Sequence, residues 1–460
     1  MTKSNRPNIV LIFMDDQAFR TIGSLNNPEI QTPNLDRLLK SGTGFTHAFN
    51  QGAWSEAVCV ASRAMLITGM NLFRAHRQVE VAPLLGEHLA AHGYNTFFTG
   101  KWHNSQETLV RSYETVGPWF AGLNVDGYSP ENDAYSRPSP GNEWRPDDET
   151  QGRHWMRDGD RVLHSSELWT NAAVGFIAGS ASADRPFFLH LAHHAPHDPR
   201  QSRREFLDLY PEDGIEVPPN FQPEHPFDQG DSRSRDEYLA PFPRTEDAVR
   251  LHRREYYAIL THVDEQIGRV LDALDEQGVR GNTVVVFSSD HGLAVGEHGL
   301  MGKQNQYDHS VRVPLIFSGP GVPSDLLLDA LVYQASIFAT LCDLVGAPLP
   351  ESVEMPSLAG ILQGDMEAIN DSVFGAYRDY QRMVRTTTHK LIAYPEQHRH
   401  QLFDVQNDPW ETTDQSSEIE QAEQVATLRA ELEKWQAILG DGLDISPAFR
   451  STDPPVTASP

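Results

Sequence analysis

The chain has 460 residues and a mass of 51.5 kDa, with 39% hydrophobic and 22% charged residues, enough for one large globular domain and a smaller appendage. Its 64 acidic residues against 37 basic ones give a net charge of −27, which repels nucleic acid and anionic membranes and excludes a non-specific polyanion binder. Only two cysteines, Cys59 and Cys342, are present, which excludes a disulfide framework and a Cys-rich zinc module, and no apolar run approaches the roughly 18 residues of a membrane span.

The N-terminus leads directly into a strand-like run with no signal-peptide apolar stretch. The expected compartment is therefore the cytoplasm, or the exterior after removal of an export signal. Asn8–Met14 is continuously apolar and rich in β-branched residues, as a strand buried on both faces requires. Thr32 and Pro33 open a helix carrying Leu35, Leu38 and Leu39 that stops near Gly42, and residues 83–92 repeat that design. Further strands are expected over 94–99, 186–192, Thr283–Ser289 and 313–317, with helices over Ser165–Ser180 and 245–277. This alternation predicts an α/β fold over residues 1–370, a doubly wound sheet covered by helices on both faces. From Asp371 shorter strands (Val373–Tyr377, 383–385, 390–393) precede a helix over 418–439, so residues 371–450 are expected to form a small C-terminal α+β subdomain. The Pro/Ser/Thr-rich residues 451–460 read as a disordered tail, and the polar, aromatic-dotted segment 113–160 as loops over one face.

Polar doublets and triplets sit directly after the apolar runs. Asp15 and Asp16 follow the first, Lys101-Trp102-His103 the strand ending at Thr99, His193-His194-Ala195-Pro196-His197 the next, and Asp290-His291 the last. In an open parallel sheet these strand ends share one edge, where ligands bind. Singly, each is as readily a helix cap or a solvated loop residue; together they indicate a site. Asp15, Asp16 and Asp290 are hard oxygen donors with His291 beside them, which points to Ca²⁺ or Mg²⁺. Lys101, His103, Lys303 and a histidine of the His194–His197 pair would surround a metal-bound anion. Only six lysines occur in the chain, and two of them fall in these motifs. Cys59 reads either as a small buried residue or, because Ala61 to Leu66 is helix-like, as a cysteine at a positively polarised helix N-terminus with Arg63 one turn on.

Taken together, these residues resemble the formylglycine-dependent sulfatases of the alkaline phosphatase superfamily. The signature of that family, Cys or Ser, any residue, Pro, Ser, Arg and a stretch ending in Thr-Gly, reads here Cys59-Val60-Ala61-Ser62-Arg63 through Thr68-Gly69. Asn8 to Gln17 is similar to its opening strand and paired metal aspartates, Gly100-Lys101-Trp102-His103 to its Gly-Lys-Trp-His, and Asp290-His291-Gly292 to its second metal doublet. Lys303 with Val311-Arg312-Val313-Pro314, and Leu402-Phe403-Asp404 through Asn407-Asp408-Pro409, resemble later family segments. The matches run in order from Asn8 to about Glu411. One departure stands out: Ala61 occupies the place where the commonest signature has proline, a variant that some sulfatases carry.

The resemblance implies an alkaline-phosphatase-like fold and a sulfuric ester hydrolase. Its nucleophile would be formylglycine, made from Cys59 by a maturation enzyme that would be a partner of this chain. Asp15, Asp16, Asp290 and His291, with residue 59, would hold Ca²⁺, or Mg²⁺ as the second choice. Arg63, Lys101 and Lys303 would neutralise the sulfuryl oxygens and the nucleophile. His194 or His197 would protonate the leaving alcohol, and His103 would deprotonate the second hydroxyl. The expected substrate is a sulfated carbohydrate; Trp119, Trp144, Trp155, Arg137, Arg153 and His154 either stack on sugars and pair with further anions or, as readily, anchor the long loops that carry them. Two alternatives stay open: a phosphodiester or phosphonate ester hydrolase of the same superfamily, and a non-catalytic sugar-binding relative.

Overall fold

The structure is a computed structural model that describes residues 6–122, 134–150 and 153–450. A nine-stranded sheet forms its centre. Asn8–Met14 lies in the middle, parallel to Phe187–Ala192 on one side and to Thr283–Ser289 on the other. Asn95–Lys101 and then Thr115–Phe120 extend the parallel set outward. Beyond Thr283–Ser289, the strand Arg312–Ser318 runs antiparallel and pairs in turn with Thr43–Phe49. All seven residues of the central strand are buried. The period-2 geometry of a strand sends them alternately to two cores. Ile9, Leu11 and Phe13 meet the helices Val58–Thr68, Leu85–Ala91 and Ile337–Val345, whereas Val10, Ile12 and Met14 meet Pro33–Lys40, Ser165–Ser180 and the long helix Glu246–Glu276. A continuous apolar run is what two covered faces demand.

The expected α/β fold with a large, mostly parallel sheet is therefore present, and Asn8–Met14, Thr283–Ser289 and Ser165–Ser180 have the expected bounds. Segment 113–160 is less loop-like than expected. Thr115–Phe120 joins the large sheet, and Trp155–Asp158 pairs with Arg161–His164. Thr43–Phe49 had no counterpart in the sequence reading.

Four antiparallel strands, Val373–Tyr377, Gln381–Arg385, His389–Tyr394 and Arg399–Asp404, form a second sheet against which the helix Ala422–Leu439 buries Leu428 and Leu432. Its fifth strand comes from the N-terminal region: Gly52–Ala53 pairs parallel with Val373–Tyr377, six residues before Cys59. A second tie is electrostatic. Buried Lys390 meets Glu411 at 2.6 Å, bonds the Gln306 carbonyl at 3.1 Å, and also pairs with Asp308, bracing the segment that follows Lys303. Among the described residues, no helix is long and apolar enough to cross a membrane. The tail 451–460 lies outside the described residues.

Candidate active site

Four neighbouring parallel strands end at one edge and deliver the site. Asp15 and Asp16 follow Met14; Lys101 closes its strand; His193 and His194 follow Ala192; Asp290 and His291 follow Ser289. Two glycines permit this placement. Gly100 has φ +111°, and a Cβ there would stand 1.8 Å from the Ala192 carbonyl oxygen. A Cβ on Gly292 would stand 2.0 Å from the His309 carbonyl, so only glycine lets the chain after His291 pass. Asp16 takes a left-handed φ of +69°, a conformation costing about 1–2 kcal/mol for a non-glycine residue. It is held there because its N–H donates to Asp290 Oδ1 at 3.2 Å and its carbonyl accepts the Tyr256 hydroxyl.

Cys59 is the second residue of the helix Val58–Thr68, whose N-terminus carries no side-chain cap. Val58 and Val60 N–H groups bond the Glu56 and Ala57 carbonyls, and the positive end of the helix dipole favours an anion at position 59. Around its buried Sγ stand His291 Nε2 at 3.2 Å and, nearby, the ammonium groups of Lys101 and Lys303. Burial and Asp15 push the thiol pKa up, but Lys101, Lys303 and His291 outweigh them and hold it below its ordinary value. The carboxylates lie behind. Lys101 pairs with Asp15, Lys303 with Asp16 at 2.7 Å, and Arg63 with Asp290 at 3.1 Å while also bonding the Lys101 carbonyl. Burial raises Asp16 to about 6 and Asp290 to about 7, whereas Asp15, equally buried, is held low by Lys101, His197, Arg63 and Lys303. Burial opposes protonation of His291, but Asp290, Cys59 and Asp16 outweigh it and lift the imidazole to about 10.

A cation fits this arrangement. Ligand atoms of Asp15, Asp16, Cys59 and His291 all lie within 4.8 Å of one another, and Asp15 Oδ1 and Asp16 Oδ2 are buried without a hydrogen-bond partner. Two hard carboxylates with further oxygen donors nearby suit Ca²⁺ or Mg²⁺. Asp290 stands beside this group with its carboxylate turned to Arg63, the Asp16 N–H and the His291 N–H. Arg63 thus points first at a carboxylate rather than into open space.

Three further histidines, His103, His194 and His197, complete the site. His197 directs Nδ1 to the Asp198 carbonyl at 2.9 Å, and one of its ring nitrogens lies within 4.8 Å of an Asp16 oxygen. His194 donates Nε2–H to the Gly122 carbonyl at 2.7 Å, and the His103 ring packs on that same glycine. His194 and His197 are buried and His103 is half-buried, and desolvation first, then nearby lysines, drives each imidazole well below its ordinary pKa.

Three side chains escaped the sequence reading. Asp198 accepts a hydrogen bond from Arg235 at 3.2 Å, Arg235 reaches within 3.4 Å of His197 Nε2, and Asp236 lies 3.6 Å from Lys303. Asp198 could have been noted beside His197; Arg235 and Asp236 lie in irregular chain with no periodic pattern to mark them. In contrast, most residues expected to meet sugars serve the interior. Arg137 pairs with buried Glu255 and stacks on Trp144 at 4.2 Å, and Trp155, Arg153 and His154 are buried. Trp119 is half-buried against the core.

A family profile described as "Sulfatase" matches residues 7–347, and one described as "N-sulphoglucosamine sulphohydrolase, C-terminal" matches residues 296–438. The arylsulfatase of Clostridium perfringens is 26% identical over 469 residues, covering 92% of this chain and 93% of its own. The structure of BT4656 in complex with D-glucosamine-2-N,6-O-disulfate aligns with a TM-score of 0.74 at 20% identity, over 96% of this chain and 99% of its own. The phosphonate monoester hydrolase of Agrobacterium radiobacter aligns with a TM-score of 0.73 at 21% identity, over 94% and 96%, so the fold by itself does not select the ester. What selects it is the profile match over residues 7–347, which spans every strand end that carries the site: the chain belongs to the sulfatase family and is a sulfuric ester hydrolase.

Proposed function

We propose that the protein removes sulfate from a sulfated carbohydrate, using an oxygen nucleophile on residue 59. The observation that carries this reading is the setting of Cys59 Sγ in the first turn of a helix without a side-chain cap, among Lys101, Lys303 and His291 and against the Asp15–Asp16 pair. Conversion of Cys59 to formylglycine by a maturation enzyme would place a hydrated aldehyde there. A Ca²⁺ ion held by Asp15, Asp16, Asp290 and His291 would acidify that hydrate and share the charge of the sulfuryl oxygens.

The chain's own groups do the rest. Arg63, Lys101 and Lys303 bring fixed positive charge to a buried site, where it counts for far more than in water. His197, neutral in the free site, takes up a proton at Nε2 when the anionic sulfate ester binds beside it and delivers that proton to the leaving alcohol. Its Nδ1 is committed to the Asp198 carbonyl, which leaves Nε2 as the working nitrogen, whereas the Nε2 of His194 is committed to Gly122. His103, kept neutral by burial and by Lys101, takes the proton whose removal lets sulfate leave residue 59. The sugar preference is supported by the disulfated glucosamine in the BT4656 complex, a protein of the same fold.

The experiment is a side-by-side assay of protein produced with a maturation enzyme and loaded with Ca²⁺. Sulfated mono- and oligosaccharides, an aryl sulfate and an aryl phosphate diester are offered, and the tryptic peptide 41–63 is weighed for the aldehyde. Turnover of a sulfated sugar with the aldehyde present supports the reading. Faster turnover of the phosphate diester, or full activity with an intact thiol, overturns it.

A further inference from the structure

Two buried imidazoles from segment 153–164 are stacked against the loop that carries His194 and His197. The rings of His154 and His164 have centroids 5.0 Å apart and planes 12° from parallel. Each is bonded at both nitrogens, in the same sense. His154 places Nδ1 2.9 Å from Ser165 Oγ and Nε2 3.0 Å from the carbonyl oxygen of His197. His164 accepts the Ser166 N–H at Nδ1 and places Nε2 3.0 Å from the carbonyl oxygen of Gln201. A carbonyl can only accept, so both Nε2 atoms carry the hydrogen and both Nδ1 atoms are acceptors. Burial keeps the rings neutral, with His154 lowered to about 4 and His164 well below its ordinary value. Each tautomer is fixed by its partners.

The grip is reciprocal, since Gln201 Oε1 accepts the N–H groups of Arg153 at 2.9 Å and His154 at 3.1 Å. The loop is thus held at two carbonyls four residues apart. The rings that hold it are tied through Nδ1 to the first turn of the helix Ser165–Ser180, whose Trp169, Ala173 and Ile177 lie in the core. The carbonyl held by His154 belongs to His197 itself, so a shift at that bond moves the proton donor directly.

We propose that the stacked His154–His164 pair is a positioning device that fixes where His197 Nε2 meets the leaving oxygen. This rests on the reading of His197 as the general acid. Neither ring touches a reacting atom, so their effect passes through the loop. Proton transfer needs hydrogen-bond reach, and small misplacements of a catalytic group cost rate steeply.

The test is the dependence of kcat on the leaving group, measured with 4-nitrophenyl sulfate, phenyl sulfate and a turned-over sugar sulfate. A nitrophenolate departs without a proton, whereas a sugar alkoxide does not. His154→Ala should keep the 4-nitrophenyl sulfate rate within about 3-fold while losing about 10²-fold on the sugar sulfate, with KM little changed. His154→Gln, which keeps an N–H donor at similar reach, should recover most of that loss. His164→Gln, a milder variant in case His154→Ala fails to fold, should steepen the same dependence by a few-fold. Equal loss on every substrate, or no rescue by glutamine, would reduce the pair to a structural support and overturn the proposal. His197→Ala run in parallel separates the two ideas. A steep leaving-group dependence there with a flat one in the clamp variants rejects the clamp alone, whereas a flat dependence in His197→Ala rejects the general acid and the clamp with it.

Discussion

Tyr256, on the helix Glu246–Glu276, donates its hydroxyl hydrogen to the main-chain carbonyl of Asp16 and accepts the N–H of Ala18 at 2.9 Å. One phenol on the covering helix thus satisfies two buried backbone groups of the loop that bears Asp15 and Asp16, and holds Asp16 at its positive φ. Tyr256→Phe would leave both groups without a partner at nearly constant volume. The expected cost is about 2–4 kcal/mol of unfolding free energy, since each stranded group costs about 1–3 kcal/mol and the loop relaxes in part. Affinity for the Ca²⁺ proposed above should fall as well, because the two aspartates lose their fixed backbone. Denaturant unfolding and titration calorimetry check both parts; unchanged affinity in a destabilised variant would detach the phenol from the metal loop.

Lys303 bonds Asp16 Oδ1 at 2.7 Å and contributes to lowering the Cys59 thiol pKa. Its charge faces the place where the sulfuryl oxygens would gather, so its main effect belongs to the transition state. Lys303→Ala should lower kcat by about 10²–10³, the usual loss when one fixed donor to developing negative charge is removed. Asp16 keeps His291 as a partner at 3.4 Å, so folding should survive. Steady-state kinetics beside a melting curve decides it: a loss confined to KM would place Lys303 in ground-state binding instead.

Gly100 tests the backbone beneath Lys101. It combines a φ of +111° with a Cβ position 1.8 Å from the Ala192 carbonyl oxygen. The strand Asn95–Lys101 also changes register there against Thr115–Phe120, between Phe98 and Gly100. Gly100→Ala therefore needs either a broken φ or a separation of two central strands. We expect a loss above about 4 kcal/mol, or insoluble protein, as for other changes that force a strained backbone in a core. A soluble variant with near-normal unfolding would show that the bulge can slide.

How far the molecule can be read from its sequence depends on whether a residue's job leaves a local pattern. Asn8–Met14 and Thr283–Ser289 sit between two helix layers, so every residue must be apolar and the run is visible at once. Thr43–Phe49 alternates with threonines and a histidine because Thr46 and His47 are only half-buried, and its partner Arg312–Ser318 lies more than 260 residues away. That antiparallel pairing is a tertiary fact with no local trace. The site divides in the same way. Asp15, Lys101, His194 and Asp290 are legible because each follows a strand of one parallel set. Arg235 and Asp236 reach His197 and Lys303 from irregular chain, where Arg and Asp are ordinary. Trp144 and Arg137 leave two readings open for a related reason: an aromatic and an arginine in a long polar segment suit a sugar platform or a loop anchor equally, and here they stack on each other and bury an ion pair with Glu255.

Glu167 gives the fold a pH-dependent support beneath the imidazole pair. Its carboxylate accepts Arg203 Nε at 2.7 Å and Nη2 at 2.8 Å, His262 Nε2 at 3.3 Å, and the backbone N–H of His164 at 3.3 Å. Burial pushes its pKa up, but His262 and Arg203 outweigh that and bring it to about 2, against an ordinary 4.5. A carboxyl whose folded pKa is depressed contributes stability that is fully present above its unfolded pKa and is lost as pH falls through the folded one. Because Arg203 is partly solvated, the full shift overstates the contribution, and about 1–2 kcal/mol at pH 7 is the expected cost of Glu167→Gln. That difference between variant and wild type should shrink as pH falls from 4.5 and close near 2. Urea unfolding of both proteins at pH 7, 4 and 2.5 reads it directly. A gap that stays constant down to the lowest pH would mean that glutamine costs stability through packing at the helix start, not through the lost charge.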